Sequence, residues 1–152
     1  MVIALTLHLL SAVIWVGGMF FAYVALRPVA AALLEPPLRL QLWQAVFARF
    51  FIWVSVAVVV LLATGLWMIL DVYGGFANVR PYVHIMFLIG LIMMAIYGHL
   101  FFVPYQRLCR AVNSEDWPTG GQQLAQIRKL VAVNLSLGVL VVAVAGGGRY
   151  LM

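Results

Sequence analysis

A chain of 152 residues is one domain's worth of polypeptide, but 66% apolar and only 9% charged residues exclude an ordinary soluble domain. The mean hydropathy of +1.12 comes from apolar runs of about 20 residues, each long enough to cross a bilayer core of roughly 30 Å, so the chain reads as a multi-pass membrane protein in contact with lipid. The net charge of +5 does not imply a nucleic-acid partner, because the basic residues stand singly or in pairs at the ends of apolar runs and form no stripe.

Four spans are predicted, over about 2–26, 50–70, 82–103 and 130–148, making residues 1–152 a single all-α integral membrane four-helix bundle. The first run lacks a positive n-region and a small-residue cleavage site, so it is expected to stay as a span and not to be removed as a signal peptide. Beyond it, Pro36 and Pro37 open a segment with Leu40, Trp43, Phe47 and Phe50 at helical spacing, which predicts a short interfacial helix between spans one and two. The stretch DVYGGFANVRP then makes a tight turn into span three. The connection from Pro104 to Lys129 is the most polar part of the chain. Its NSEDWPTGG supplies turn and cap residues before a helix expected to begin near Gln122, and Gly146, Gly147 and Gly148 are expected to end that helix.

Arg27, Arg39, Arg49, Arg107, Arg110, Arg128 and Lys129 all fall on one side of this topology, against Arg80 and Arg149 on the other. The positive-inside rule therefore puts both longer loops in the cytoplasm and both termini on the periplasmic side of a bacterial inner membrane. The single cysteine, Cys109, has no internal disulfide partner.

All three histidines lie inside spans, where an ionisable side chain is a functional hypothesis by default. His8 sits about 9 Å and His84 about 3 Å in from the outer ends of spans one and three, and His99 is roughly 22 Å deeper than His84. His84 and His99 differ by about 60° around their helix and are expected to share the bundle interior. On span one, His8, Ser11, Ala12, Trp15, Gly18, Met19 and Ala22 share a face of mostly small residues, with room for a flat ligand beside Trp15. Two imidazoles at similar depth are what haem b takes as axial ligands, and Arg80 and Arg149 stand at the same surface as partners for its propionates. The competing ligand is copper, with His84, His99 and Met19 as its soft donors among seven methionines; Met19 and His99 each lie about 25 Å along their spans. The bland alternative is that each His only hydrogen-bonds a neighbouring helix, with Met19 as core filler and His99 bonded to Asn134. The four carboxylates, Glu35, Asp71, Glu115 and Asp116, all fall in loops, which excludes a buried acid pair, and no Gly-rich phosphate loop follows a strand.

With these residues laid out, the chain resembles the copper-resistance protein D (CopD) family almost end to end. The likeness runs through LHLLSAVIWVGGMFFAYVALRP, VFARFF, ATGLWMIL, YGHLFFVPYQRLCRAV and LAQIRKLVAVNLSLGVLVVAVAGGGRY. The spacing of His8, Trp15 and Gly17-Gly18 is also similar to the first helix of the membrane protoporphyrinogen oxidase HemJ family, a small haem b-binding helical bundle. That second resemblance implies His8 as an iron ligand, with Tyr97-Gly98-His99 at the His-bearing end of a corresponding helix. The chain departs from that family in having Lys129 as its only lysine and Met at position 86. The resemblances together imply two functions. One is a haem-dependent redox protein exchanging electrons with a quinone or a periplasmic partner, with oxidoreductase activity of the protoporphyrinogen oxidase type as its extreme form. The other is copper binding or passage. Self-association and a structural role in a larger complex stay open.

Overall fold

The computed structural model describes residues 1–151, apart from the side chains of Arg149 and Leu151. Four helices in it are long and apolar enough to cross a membrane. α1 covers Val2–Leu33, α2 Pro36–Val72, α3 Pro81–Phe102, α4 Pro104–Asn113 and α5 Trp117–Leu151. Consecutive spans are antiparallel, with α1 packed chiefly on α2 and α3 on α5, and α4 is wedged between α2 and α5.

α1 does not stop before Arg27-Pro28, where the sequence reading ended it. A proline inside a helix removes one hydrogen bond and crowds the preceding turn. Here the turns before it, Phe21–Leu26, widen into π-helix, and the helix continues through Pro28 to Leu33.

The segment expected to lie as a separate interfacial helix is likewise continuous with span two, since α2 starts at Pro36 and meets no breaker before the membrane. Its predicted stripe is buried: Leu40, Trp43 and Phe47 pack into the bundle itself. The helix that stands apart is α4. It begins at Pro104 after a break at Val103 (φ −114°, ψ −81°), and its Leu108 is fully buried. The final helix starts at Trp117, five residues earlier than expected near Gln122, because Asp116 caps it by accepting the Thr119 N–H at 3.2 Å.

At the opposite end, Gly74 (φ +73°) and Gly75 (φ +113°) make the expected tight turn between α2 and α3 in a conformation other residues rarely adopt. The glycines expected to end α5 lie within it. A Cβ on Gly148 would stand 2.7 Å from the Tyr82 Cβ, so this glycine allows the close approach of α5 to α3. Deeper in the bundle a Cβ on Gly138 would stand 2.9 Å from Val16 of α1 and 3.2 Å from the Met93 methyl of α3, so this glycine lets α5 approach both.

The core is concentrated at the basic end. Trp43, Phe47 and Phe51 of α2 run as a continuous aromatic ladder, with Phe47 and Phe51 stacked at 5.0 Å. Tyr97 and Tyr105 meet Phe51 edge-on at 5.6 and 4.9 Å.

Candidate functional site

The α1 face predicted from spacing is the buried one, with Ser11, Trp15, Met19 and Ala22 all in the interior. His8 lies on its edge, half-buried, against α2. Its Nδ1 is 2.8 Å from Thr64 Oγ1, and the Leu61 carbonyl faces the ring as well. The Thr64 hydroxyl already donates to the Val60 carbonyl at 2.6 Å. With its only proton committed there, the Thr64 oxygen accepts from His8, which places the imidazole proton on Nδ1 and the free lone pair on Nε2. Gly65, one residue on, lies under the ring, where a Cβ would be 3.4 Å from Cε1. Sequence reasoning identified His8 and missed Thr64. The signal was present: Thr64-Gly65 is the lone hydroxyl beside the lone glycine in the terminal half of span two.

The other two histidines are placed differently from expectation. His84 and His99 do share a face of α3, but both are exposed. The buried face carries Met93, Tyr97 and Leu100. At 100° per residue, His84 is about 180° from Met93 and His99 about 160° from Tyr97, so burying the one set turns the other outward. His84 stacks on Phe76 of the α2–α3 turn, with ring centroids 6.2 Å apart. His99 lies in the last turn of α3, and the expected bond to Asn134 is not formed. Among the described residues no hydrogen bond or ring contact joins His8 to His84 or His99, and no three His, Cys, Asp or Glu side chains gather as a metal site. Arg80 occupies the N-cap position of α3 without a side-chain capping bond and is exposed. Arg149, the other expected propionate partner, has its side chain outside the described residues.

Trp15 points inward, where it meets Tyr97 edge-on at 6.1 Å. The Tyr97 hydroxyl donates to the Phe51 carbonyl at 3.0 Å and accepts from Ser55 at 2.8 Å, which ties α3 to α2 at mid-bundle. Beyond this layer a cavity of about 270 Å³ opens toward the basic end, walled by aromatic residues and by Met19 and not reaching His8.

These placements test haem b. A bis-histidine iron needs a second imidazole opposite His8, and both candidates point out of the bundle. The cavity with flat aromatic walls holds no histidine. The residues present do not fit a bis-histidine haem, whereas a single oriented imidazole with thioethers further in suits a small soft ion.

Four long apolar helices around a few interior polar groups define a small multi-pass membrane protein. The chain matches the family described as copper resistance protein D over residues 44–147 and belongs to that family. The matched stretch contains Thr64, Met93, Tyr97 and Asn134, while His8 and Trp15 precede it. No curated protein and no solved structure matches the chain. The protein is thus a copper-resistance-related membrane protein.

Proposed function

We propose that the protein takes up copper(I) at the end of the bundle that carries its termini, with His8 Nε2 as the nitrogen ligand, and lets it pass inward toward thioether sulfur. The observation that carries this reading is the chain His8–Thr64–Val60, which fixes the tautomer and leaves Nε2 as a donor. Buried Met93 and Met19 supply soft sulfur at successive depths. They lie about 18 and 26 Å in from the same end, against about 9 Å for His8. The copper is cargo here, held by few ligands at each level so that it can leave. By the basic-residue count the uptake side is the periplasm and the basic end the cytoplasm.

The test is a copper(I) titration of the purified protein against a chromophoric chelator, with a reduced-minus-oxidised visible spectrum of the same sample. Wild type is expected to bind copper(I), His8→Ala to bind at least tenfold more weakly, and Met19→Leu to retain the His8 site. Unchanged affinity in His8→Ala would overturn the ligand assignment. Stoichiometric haem with no copper binding would replace the reading by the redox one, with His8 as its axial ligand.

A further inference from the structure

The cavity at the basic end has features that copper does not explain. Its walls are aromatic, with Trp43, Phe47, Phe50 and Trp117 among them. Arg27, Arg39 and Arg128 stand around its basic-end rim, and no carboxylate lines it. Among the described residues none of the three arginines forms an ion pair, and Arg27 instead stacks over the Tyr23 ring at 4.4 Å. Asn134 closes the inner end. It is 2% exposed, and its Oδ1 has no hydrogen-bond partner. A buried acceptor without a donor is costly, and native structures nearly always satisfy it. The neighbouring Tyr97 hydroxyl cannot do so, since its proton is committed to Phe51.

From these groups we propose that the cavity binds an anionic amphiphile: its carboxylate or phosphate sits among Arg27, Arg39 and Arg128, its apolar body lies along the aromatic wall, and a hydroxyl or N–H on that body donates to Asn134 Oδ1. Each part of the ligand answers one part of the wall. Three unpaired guanidinium groups select an acid over a neutral head group. The wall from Trp15 to Arg27 follows α1 for about 18 Å, which suits a chain or fused rings lying along the helix. Asn134 is six residues beyond Arg128 on α5, so the donor belongs about 9 Å in from the acid. This site does not include His8, shares only Met19 with the proposed copper path, and does not depend on the copper reading.

The cavity contains three of the five tryptophans, Trp15, Trp43 and Trp117, which supplies the readout. In discs of zwitterionic lipid, 9,10-dibromostearate is expected to quench their fluorescence saturably. Stearate should displace it at least tenfold better than stearyl alcohol, a comparison made on wild type that needs no variant to fold. The double variant Arg39→Gln/Arg128→Gln should weaken the acid at least fivefold. A 10-hydroxystearate should compete about fivefold better than stearate, an advantage worth one hydrogen bond, and Asn134→Leu should abolish that advantage while leaving stearate itself in place. Displacement by phosphatidylglycerol added to the disc assigns the site to a membrane lipid, and displacement by stearate alone assigns it to a free acid. Quenching that never saturates, or that the alcohol competes for as well as the acid, overturns the proposal.

Discussion

The two ends of the bundle are built differently. Toward the basic end, Leu40, Trp43, Phe47, Phe51, Leu108 and Ile127 form a dense interior, bound by stacked and edge-on rings. Toward the end that carries the termini, no residue from Val2 to Leu10 or from Val139 to Gly147 is buried. There the side-chain link between α1 and α2 is the His8–Thr64 bond. In water the second arrangement would be untenable, but lipid covers apolar side chains without penalty, and only the polar groups need partners from the protein. The dense end is therefore specified by packing. The open end is held by a few local contacts, the His8–Thr64 bond and the close approach of α5 to α3 at Gly148 among them.

Substitutions sharpen this contrast, and the largest effect is expected at the dense end. Phe47→Ala removes a ring that contacts Trp43, Phe51 and Tyr105, and it should cost about 3–5 kcal/mol by thermal or denaturant unfolding in detergent. Val59→Ala on the exposed face of the same helix should change stability by less than about 0.5 kcal/mol. Equal losses at the two positions would refute the contrast. At the open end, Thr64→Val keeps the shape but frees the His8 ring, and copper(I) affinity should fall about 10–100-fold with little change in melting temperature. A loss of stability without a loss of copper would make the pair structural only. Gly138→Val places a branched side chain against Val16 and the Met93 methyl. It should cost about 1–3 kcal/mol in the same unfolding assay.

The smallest effect is expected at the α5 cap. Hydrogen bonds from Thr119 hold the exposed Asp116 carboxyl below its ordinary value of 3.8. A lowered folded-state pKa gives stability that is present above the unfolded value and lost as pH falls through the folded one. The melting difference between wild type and Asp116→Ala should therefore be small at pH 7 and vanish once the pH is below the lowered folded-state pKa of the carboxyl. A difference that persists there would mean that the cap does not work through the carboxylate.

How much of this was legible in the sequence differs from helix to helix. The α1 face was readable because Ser11, Trp15, Met19 and Ala22 contrast with the aliphatic residues around them. On α3 nearly every position is apolar on all sides, so no periodicity marks the interior face. The histidines are the conspicuous residues on such a helix, yet Met93, Tyr97 and Leu100 determine the rotation. The sequence suggests His99 as the partner of Asn134, but its neighbours, the cavity walls, come from four separate helices that no local pattern connects. Boundaries failed where a proline suggested a stop and the backbone instead widened to pass it at Pro28.

The break at Val103 has a mechanical consequence. α4 runs on from α3 along α2, with Tyr105 against Phe51 and Phe47 and Asn113 bonded to Gln44, and its fully buried Leu108 joins the core that also holds fully buried Ile127 of α5, which fixes this end of the α3 segment against its neighbours. Rods clamped at one end and loose at the other can only splay about the clamp. In this molecule the clamp is the α4 wedge, and the ends farthest from it carry His8 and the Gly74-Gly75 turn. An opening of the bundle is therefore expected to pivot about this wedge and to be widest at the end that carries the termini.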